Sequence, residues 1–228
     1  MAKNKLRRFA EMKDMPNVFE PSMKEVKSGG IGFKGEWRER VFKNDHPIVL
    51  ELGCGKGEYS VGLARKFPTI NFIGIDIKGA RMWVGAGEAL EEGLTNVAFL
   101  RTKVDFVDQL FSENEVDEIW LTFSDPQPKK PNKRLTSRGF VQRYKNILKP
   151  GGLVHLKTDS DLLFEFTEEE IKKYNYNTHY LTWDVYADLK QFPQNLQEIL
   201  SIKTHYEALF SAKGSIIKYA RFELDENQ

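Results

Sequence analysis

The sequence is poor in the residues that build disulfides and metal centres. Its 228 residues include one cysteine, Cys54, and four histidines. A single cysteine excludes a disulfide within the chain, and Cys54 lies between two glycines, where it is most simply a small filler. The histidines lack the spacing of metal ligands, so we expect no metal site and interpret them as surface residues or as core residues with hydrogen-bond partners. They are His46, His155, His179 and His205.

Long hydrophobic runs are also missing. The first residues, MAKNKLRRFAEMK, are basic like the start of a signal peptide, but no apolar segment follows them. No later stretch approaches the length that spans a membrane. With 40% hydrophobic residues the chain can nevertheless furnish a full core. We expect a cytoplasmic protein without a membrane segment, built as one α/β domain with a short extension.

Glycines are concentrated at the end of one apolar run. Residues 48–57 read IVLELGCGKG, with Gly53, Gly55 and Gly57 at alternate positions after Glu51. Because glycine has no Cβ atom, such a turn can adopt unusual backbone angles and can approach a ligand closely. The pattern indicates a nucleotide-binding turn between a strand and a helix. An ordinary tight turn is the alternative.

Two acidic residues refine this interpretation. Asp76 ends the next apolar run, nineteen residues after Gly57, where a second strand can present a carboxylate to ribose hydroxyls. Glu58 takes the place of the last glycine of a dinucleotide-binding turn, and its charge would repel a pyrophosphate, so a nicotinamide cofactor is disfavoured. The spacing Glu51-x-Gly-x-Gly-x-Gly resembles the first motif of class I methyltransferases, whose S-adenosylmethionine carries a cationic sulfonium and no phosphate.

The net charge of +1 hides a strong segregation of charge. Residues 126–149 include eight basic residues and no acid, and residues 1–34 hold eight basic residues against four acids. The remainder of the chain is therefore acidic. This distribution is expected when one face of a protein meets a polyanion, and a merely solvated basic face is the alternative.

Strand and helix patterns alternate along the chain, which predicts a mostly parallel, Rossmann-like sheet of seven strands with helices on both faces. Residues 1–34 are predicted to form a flexible basic arm and residues 35–228 the methyltransferase domain; a tail without a role is the alternative for the arm. Strands are predicted at 47–53, 71–76, 97–102, 117–123, 152–158, 178–184 and 216–223, and helices near 58–67, 79–92, 105–111, 136–148, 160–173 and 201–211.

The fourth predicted strand runs into a stiff, basic loop. Residues 123–134 read FSDPQPKKPNKR, in which three prolines restrict the backbone. Together with the ELGCGKG turn, the LKTDS sequence at 156–160 and the THYE sequence at 204–207, this loop resembles the bacterial tRNA (guanine-N7-)-methyltransferase family. The resemblance covers roughly residues 45–223. It implies a class I methyltransferase fold, S-adenosylmethionine as cofactor, tRNA as partner, and methyl transfer to N7 of a guanosine in the tRNA variable loop.

The resemblance also implies roles for individual residues. Asp125 matches the catalytic acid and also a cofactor contact. The other implied cofactor contacts are Glu51, Gly53, Gly55, Gly57, Asp76 and either Lys103 or Asp105. Contacts to the target guanosine are implied for Lys129, Asp159, Thr204, Tyr206 and Glu207. Contacts to the RNA are expected for Lys130, Asn132, Lys133 and Arg134.

Two positions depart from the family pattern. Many members have a tryptophan after the Asp-Pro pair, where this chain has Gln127, so no aromatic stacking on the base follows at that position. Many also have an aspartate where this chain has Lys103. A methyltransferase acting on another RNA or on a small molecule, and a non-catalytic RNA-binding protein, remain the alternative functions. Whether the protein is a monomer or a homodimer does not follow from the sequence.

Overall fold

The computed structural model describes residues 2–28 and 30–226. Within this part of the chain, eight strands form one sheet in the order β1-β4-β3-β2-β5-β6-β8-β7. The first six strands of this order are parallel, and β8 is antiparallel to both β6 and β7. The strands are β1 (Val18–Phe19), β2 (Ile48–Leu52), β3 (Asn71–Asp76), β4 (Val97–Arg101), β5 (Val116–Thr122), β6 (Leu148–Thr158), β7 (Tyr176–Thr182) and β8 (Lys218–Glu226).

Helices connect the strands. The α-helices are α1 (Ala2–Met12), α2 (Met23–Lys27), α3 (Glu58–Lys66), α4 (Gly79–Glu91), α5 (Val107–Leu110), α6 (Arg138–Lys145), α7 (Asp161–Lys173), α8 (Gln194–Leu200) and α9 (His205–Ala212). A π-helix covers Trp37–Phe42, and short 3₁₀ helices cover Val104–Phe106, Pro131–Lys133 and Leu189–Gln191. No described helix is long and apolar enough to cross a membrane.

Two apolar clusters cover the two faces of the sheet. Strand β2 illustrates the division, since Ile48, Leu50 and Leu52 belong to one cluster and Val49 to the other. This follows from the period of two in a strand, which turns successive side chains to opposite faces. Helices α5, α6 and α7 contribute to the first cluster, and α1, α3, α4 and α8 to the second. The predicted α/β fold with helices on both faces is confirmed.

Three details differ from the prediction. The sheet has an eighth strand, Val18–Phe19, whose two residues are too few to give a periodic signal in the sequence. The helix predicted at 201–211 starts later, because Thr204 caps α9 by accepting a hydrogen bond from the Glu207 amide, and the preceding helix α8 was not predicted. The helix predicted at 105–111 begins as a 3₁₀ turn.

The amino-terminal segment carries regular structure. Helix α1 packs against α4, with Met12 fully buried. The Arg8 guanidinium lies 4.7 Å from the centroid of the Trp83 ring and donates to the Ala80 carbonyl. The flexibility predicted for residues 1–34 and the domain boundary after them stay predictions. Met1, Gly29, Asn227 and Gln228 lie outside the described residues.

Candidate active site

A cavity of about 940 Å³ opens at the carboxyl ends of the parallel strands. Loops after β2, β3, β4 and β5 line it, together with the first turns of α9. This edge is where open α/β sheets bind ligands, because the loops from neighbouring strands converge there. The predicted site residues that line it are Glu51, Gly53, Gly55, Asp76, Lys103, Asp105, Asp125, Lys130, Lys133, Thr204 and Tyr206.

The glycine turn has the backbone that the sequence predicts. Gly53, Gly55 and Gly57 have φ values of 83°, 58° and 77°, a region that other residues rarely adopt. A Cβ atom on Gly55 would meet nothing within 4 Å, whereas one on Gly57 would lie 2.4 Å from Cε1 of the buried Phe99. Gly55 therefore leaves open space in the cavity, whereas the absence of a side chain on Gly57 lets the turn pack closely against Phe99.

Asp76 connects the end of β3 to this turn. Its Oδ2 accepts a hydrogen bond of 2.9 Å from the Gly55 amide, and its Oδ1 accepts one of 2.7 Å from the Lys78 amide. A carboxylate offers about four acceptor sites, so two backbone donors leave capacity for ligand hydroxyls. The structure thus brings Asp76 and the turn together at the cavity.

Glu51 is buried beneath the turn, with 4% of its surface exposed. Its Oε2 accepts from the backbone amide and the hydroxyl of Ser60, and its Oε1 accepts from the Thr122 hydroxyl. Burial raises the pKa of Glu51 to about 7, although these hydrogen bonds favour the ionised form. The carboxyl therefore links β2, α3 and β5 and is poised to change charge near neutral pH.

The segment after β4 supplies another wall. Both Lys103 and Asp105 line the cavity. Asp105 accepts a 2.9 Å hydrogen bond from the Lys133 ammonium, an ion pair that lowers the pKa of Asp105. This pair joins the basic loop to the β4 side of the cavity, so neither charge is entirely free for a ligand.

The loop after β5 carries Asp125, which is exposed and lines the cavity. Its Oδ1 accepts a 3.0 Å hydrogen bond from the Gln127 amide. This local turn fixes the carboxylate, and among the described residues no donor to its Oδ2 is found. Asp125 is thus both a turn residue and an acid facing the cavity.

Several predicted site residues do not line the cavity. Lys129 and Asn132 lie exposed on the same loop outside it. Asp159 follows β6, where partial burial raises its pKa and its carbonyl accepts from Lys218. The Glu207 side chain has no exposed surface. It accepts a 2.9 Å hydrogen bond from Lys157 and another from the Tyr186 hydroxyl, so both its oxygens have partners within the protein and the guanosine contact by Glu207 stays a prediction.

The RNA contact predicted for Arg134 stays a prediction, and in this structure the side chain has partners within the protein. Only 5% of the residue is exposed, its Nε donates to the Pro126 carbonyl at 2.9 Å, and its guanidinium lies 4.5 Å from the Phe166 ring centroid. An arginine guanidinium can stack on an aromatic ring while one of its N–H groups donates to a carbonyl. Through these two contacts the buried Arg134 side chain stabilises the conformation of the loop.

The residues that line the cavity but were not predicted as site residues include Arg81, Phe123, Ser124 and Phe210. One signal was available, because Tyr206 and Phe210 are four residues apart and share a face of α9. No local pattern identifies the others. They reach the cavity because the sheet brings the ends of β3 and β5 to one edge.

Comparison with known proteins agrees with this geometry. A family model described as a putative methyltransferase matches residues 45–220. The tRNA (guanine-N(7)-)-methyltransferase of Bacteroides thetaiotaomicron is 51% identical over 227 residues, which cover 99% of this chain and 88% of that protein. This chain belongs to the tRNA (guanine-N(7)-)-methyltransferase family. The protein of the same name from Christiangramia forsetii is 50% identical over 225 residues, covering 98% of this chain and 99% of that one.

Solved structures share the fold at low identity. The 16S rRNA methyltransferase KamB has a TM-score of 0.60 at 14% identity, covering 82% of this chain and 91% of its own. A variant of the 16S rRNA (adenine(1408)-N(1))-methyltransferase of Catenulisporales acidiphilia, solved with the cosubstrate SAM, has a TM-score of 0.56 at 13% identity. That match covers 85% of this chain and 92% of that one. The predicted class I methyltransferase fold is confirmed.

Proposed function

We propose that this protein transfers the methyl group of S-adenosylmethionine to N7 of a guanosine in the variable loop of tRNA. The cavity carries the proposal, since the glycine turn, Asp76 and Asp125 meet there beside exposed lysines, in a chain that belongs to the family named for this reaction. A non-catalytic RNA-binding protein would have no use for the glycine turn. A methyltransferase for small molecules would not need the basic loop.

The residues present fit the cofactor. Gly55 leaves open space beside the Asp76 carboxylate, whose remaining acceptor sites suit ribose hydroxyls. Asp105 is paired with Lys133 and the Thr102 amide donates to the Asp76 carbonyl, so we assign the adenine contact to the Lys103 backbone. When bound, S-adenosylmethionine supplies an electrophilic methyl group on its sulfonium.

The chain's own task is to position the base. Guanine N7 carries a free lone pair at neutral pH, so no proton has to leave it and Asp125 need not be a base. Asp125 would accept hydrogen bonds from the guanine N1–H and exocyclic amine. Among Asp125, Asp159 and Glu207, it is the carboxylate that lines the cavity, which supports this assignment over the other two. Good placement alone can lower a barrier by about 7 to 11 kcal/mol.

The proposed reaction has a direct test. Tritium from labelled S-adenosylmethionine should enter bulk tRNA in the presence of the protein, and cleavage chemistry specific for 7-methylguanosine should release a fragment ending in the variable loop. Label in another base, or in no RNA at all, would contradict the proposal. A protein that binds tRNA without transferring label would be an RNA-binding module instead.

Replacing Asp125 separates chemistry from binding. Asp125→Ala should lower the rate of single-turnover methyl transfer by about 100-fold, since small displacements of a reacting base cost that much. The affinity for tRNA should change little, because one carboxylate does not attract a polyanion. Asp45→Ala is the matched control, since Asp45 is an exposed aspartate just before β2, at the opposite edge of the sheet. Unchanged turnover in Asp125→Ala would reduce Asp125 to a turn residue.

The exposed lysines of the loop should set the salt dependence of tRNA binding. Lys129 and Lys130 are exposed and neighbouring. If each neutralises one phosphate, Lys129→Ala/Lys130→Ala should flatten the slope of log K against log salt concentration by about 1.4 to 1.8, with cofactor affinity unchanged. Lys172→Ala/Lys173→Ala removes two exposed lysines at the end of α7, outside the cavity lining, and should leave the slope unaltered. Equal slopes for both variants would place the RNA-binding face elsewhere.

A further inference from the structure

Three aromatic rings form a continuous surface on one side of the cavity. The Phe210 ring centroid lies 6.4 Å from that of Tyr206 and 6.5 Å from that of Phe123, with interplanar angles of 23° and 30°. All three residues are partly exposed and line the cavity. The Arg81 guanidinium, also in the lining, lies 5.7 Å from the Tyr206 centroid. Phe123 follows β5 whereas the other two rings belong to α9, so distant parts of the chain build this surface.

The order of the strands separates one end of this surface, Phe123, from the cofactor residues. Asp76 ends β3, the glycine turn follows β2, and Lys103 follows β4, so these groups span the edge formed by β4, β3 and β2. Strand β5 lies on the other side of β2, and Phe123 follows it. A cofactor held by the glycine turn and Asp76 therefore leaves the Phe123 end of the aromatic surface to a second ligand. The Tyr206 end adjoins the turn, because the His205 amide donates to the Glu58 carboxylate. Asp125, two residues after Phe123, also lines the cavity.

Two local features indicate that this wall is built for a ligand. Phe123 has a φ of 50°, a left-handed conformation that is strained for an aromatic residue. Its amide is held by the Lys157 carbonyl at 2.9 Å, so the sheet maintains this conformation. The next residue, Ser124, is 8% exposed and lines the cavity, and its hydroxyl has no hydrogen-bond partner among the described residues. Unpaired buried hydroxyls are uncommon and suggest a missing ligand contact.

We infer that the target guanine stacks on Phe210 and Tyr206, with Phe123 completing the surface. This inference rests on the proposed function and specifies how its substrate is held. A base drawn out of folded RNA needs a flat apolar contact to replace its lost neighbours, and aromatic side chains provide it. Beyond Asp125 this loop offers no further aromatic ring, since Gln127 follows Pro126. The rings thus contact the face of the guanine, while Asp125 accepts hydrogen bonds from its N1–H and exocyclic amine.

The experimental test compares variants that lose an aromatic ring with a variant that keeps it. Phe210→Leu and Tyr206→Leu keep an apolar side chain but remove the aromatic face, and each should lower kcat/KM for tRNA by about 5- to 150-fold. Phe210→Tyr keeps the face and should remain within about threefold of the parent protein. Leu209→Ala, at an adjacent position with 45% exposure, is the control and should match the parent. Calorimetry should give unchanged affinity for S-adenosylmethionine in all four variants.

The outcomes distinguish the inference from the proposed function. If the parent protein methylates tRNA at guanine N7 but Phe210→Leu and Tyr206→Leu keep its kcat/KM, the stacking surface is wrong and the function stands. If the parent protein shows no such activity, the proposed function fails. A Phe210→Tyr variant as impaired as Phe210→Leu would show that shape rather than the ring matters, which also overturns the inference. If Phe210→Leu does not fold, the Tyr206→Leu result decides.

Discussion

Replacing Gly55 with valine is expected to abolish binding of S-adenosylmethionine while the protein remains folded. A side chain at this position would project into empty space in the cavity, where the structure offers no atom within 4 Å. The isopropyl group would therefore occupy the volume that the cofactor needs. A left-handed backbone at a valine costs about 1 to 2 kcal/mol, which a folded domain can tolerate. Calorimetry of cofactor binding, beside circular dichroism, measures both effects.

A second glycine provides a control for the backbone strain. Gly93 follows α4 with a φ of 67°, and a Cβ atom there would also meet nothing within 4 Å. Gly93→Val should thus carry a similar strain, yet it should bind the cofactor normally, because Gly93 does not line the cavity. Gly57→Ala should instead destabilise the fold, since its Cβ would collide with Phe99. Cofactor affinity retained by Gly55→Val would contradict the assignment of the turn.

Lys157→Met is expected to lower the free energy of unfolding by about 3 to 5 kcal/mol, because it leaves the buried Glu207 carboxylate without its charged partner. The side chains of Lys157 and Glu207 are both fully buried, and their charged atoms lie 2.9 Å apart. The Lys157 ammonium also donates to the carbonyls of Leu200 and Ile202, at 2.7 and 3.2 Å. Burial lowers the pKa of Lys157, so these acceptors are needed to keep it charged. Urea unfolding measures the loss.

Two further variants test whether the buried charge causes this loss of stability. Lys173→Met removes an exposed lysine whose nitrogen lies 3.9 Å from Glu170, and its effect should stay within about 0.5 kcal/mol. Lys157→Met/Glu207→Leu removes both charges and should recover much of the stability. A single variant as stable as the parent protein would show that the pair does not anchor α9. A double variant no more stable than Lys157→Met would assign the loss to the two carbonyl contacts instead.

The sequence predicted the central strands well because their signal is local. Strands β2, β3 and β4 are short apolar runs ended by polar or turn residues, and each lies within one or two residues of its predicted bounds. The eighth strand, Val18–Phe19, and helix α1 were not predicted. Both pack against β4 and α4, far along the chain. The two residues of the strand give no periodic signal, whereas α1 has Leu6, Phe9 and Met12 at helical spacing, a signal that was available in the sequence.

The candidate site was predicted in part. The positions of Gly55, Asp76 and Asp125 at one edge follow from the topology of a parallel sheet, which places successive strand ends together. Phe123 and Phe210 were missed because their proximity depends on where α9 docks. The charge of Arg134 predicted an RNA contact, yet its contacts with Pro126 and Phe166 bury it.

The sequence by itself determined the order of the seven longer strands, the nucleotide-binding turn and the family to which the chain belongs. These depend on residue spacing and on backbone freedom at a few glycines, which are local properties. Only the tertiary structure decided which charged side chains face the cavity. Glu207 and Arg134 belong to sequences that predict substrate contact, but each is buried by partners distant in the chain. Exposure depends on such long-range contacts, and a charged side chain can be buried only where they supply its hydrogen-bond partners.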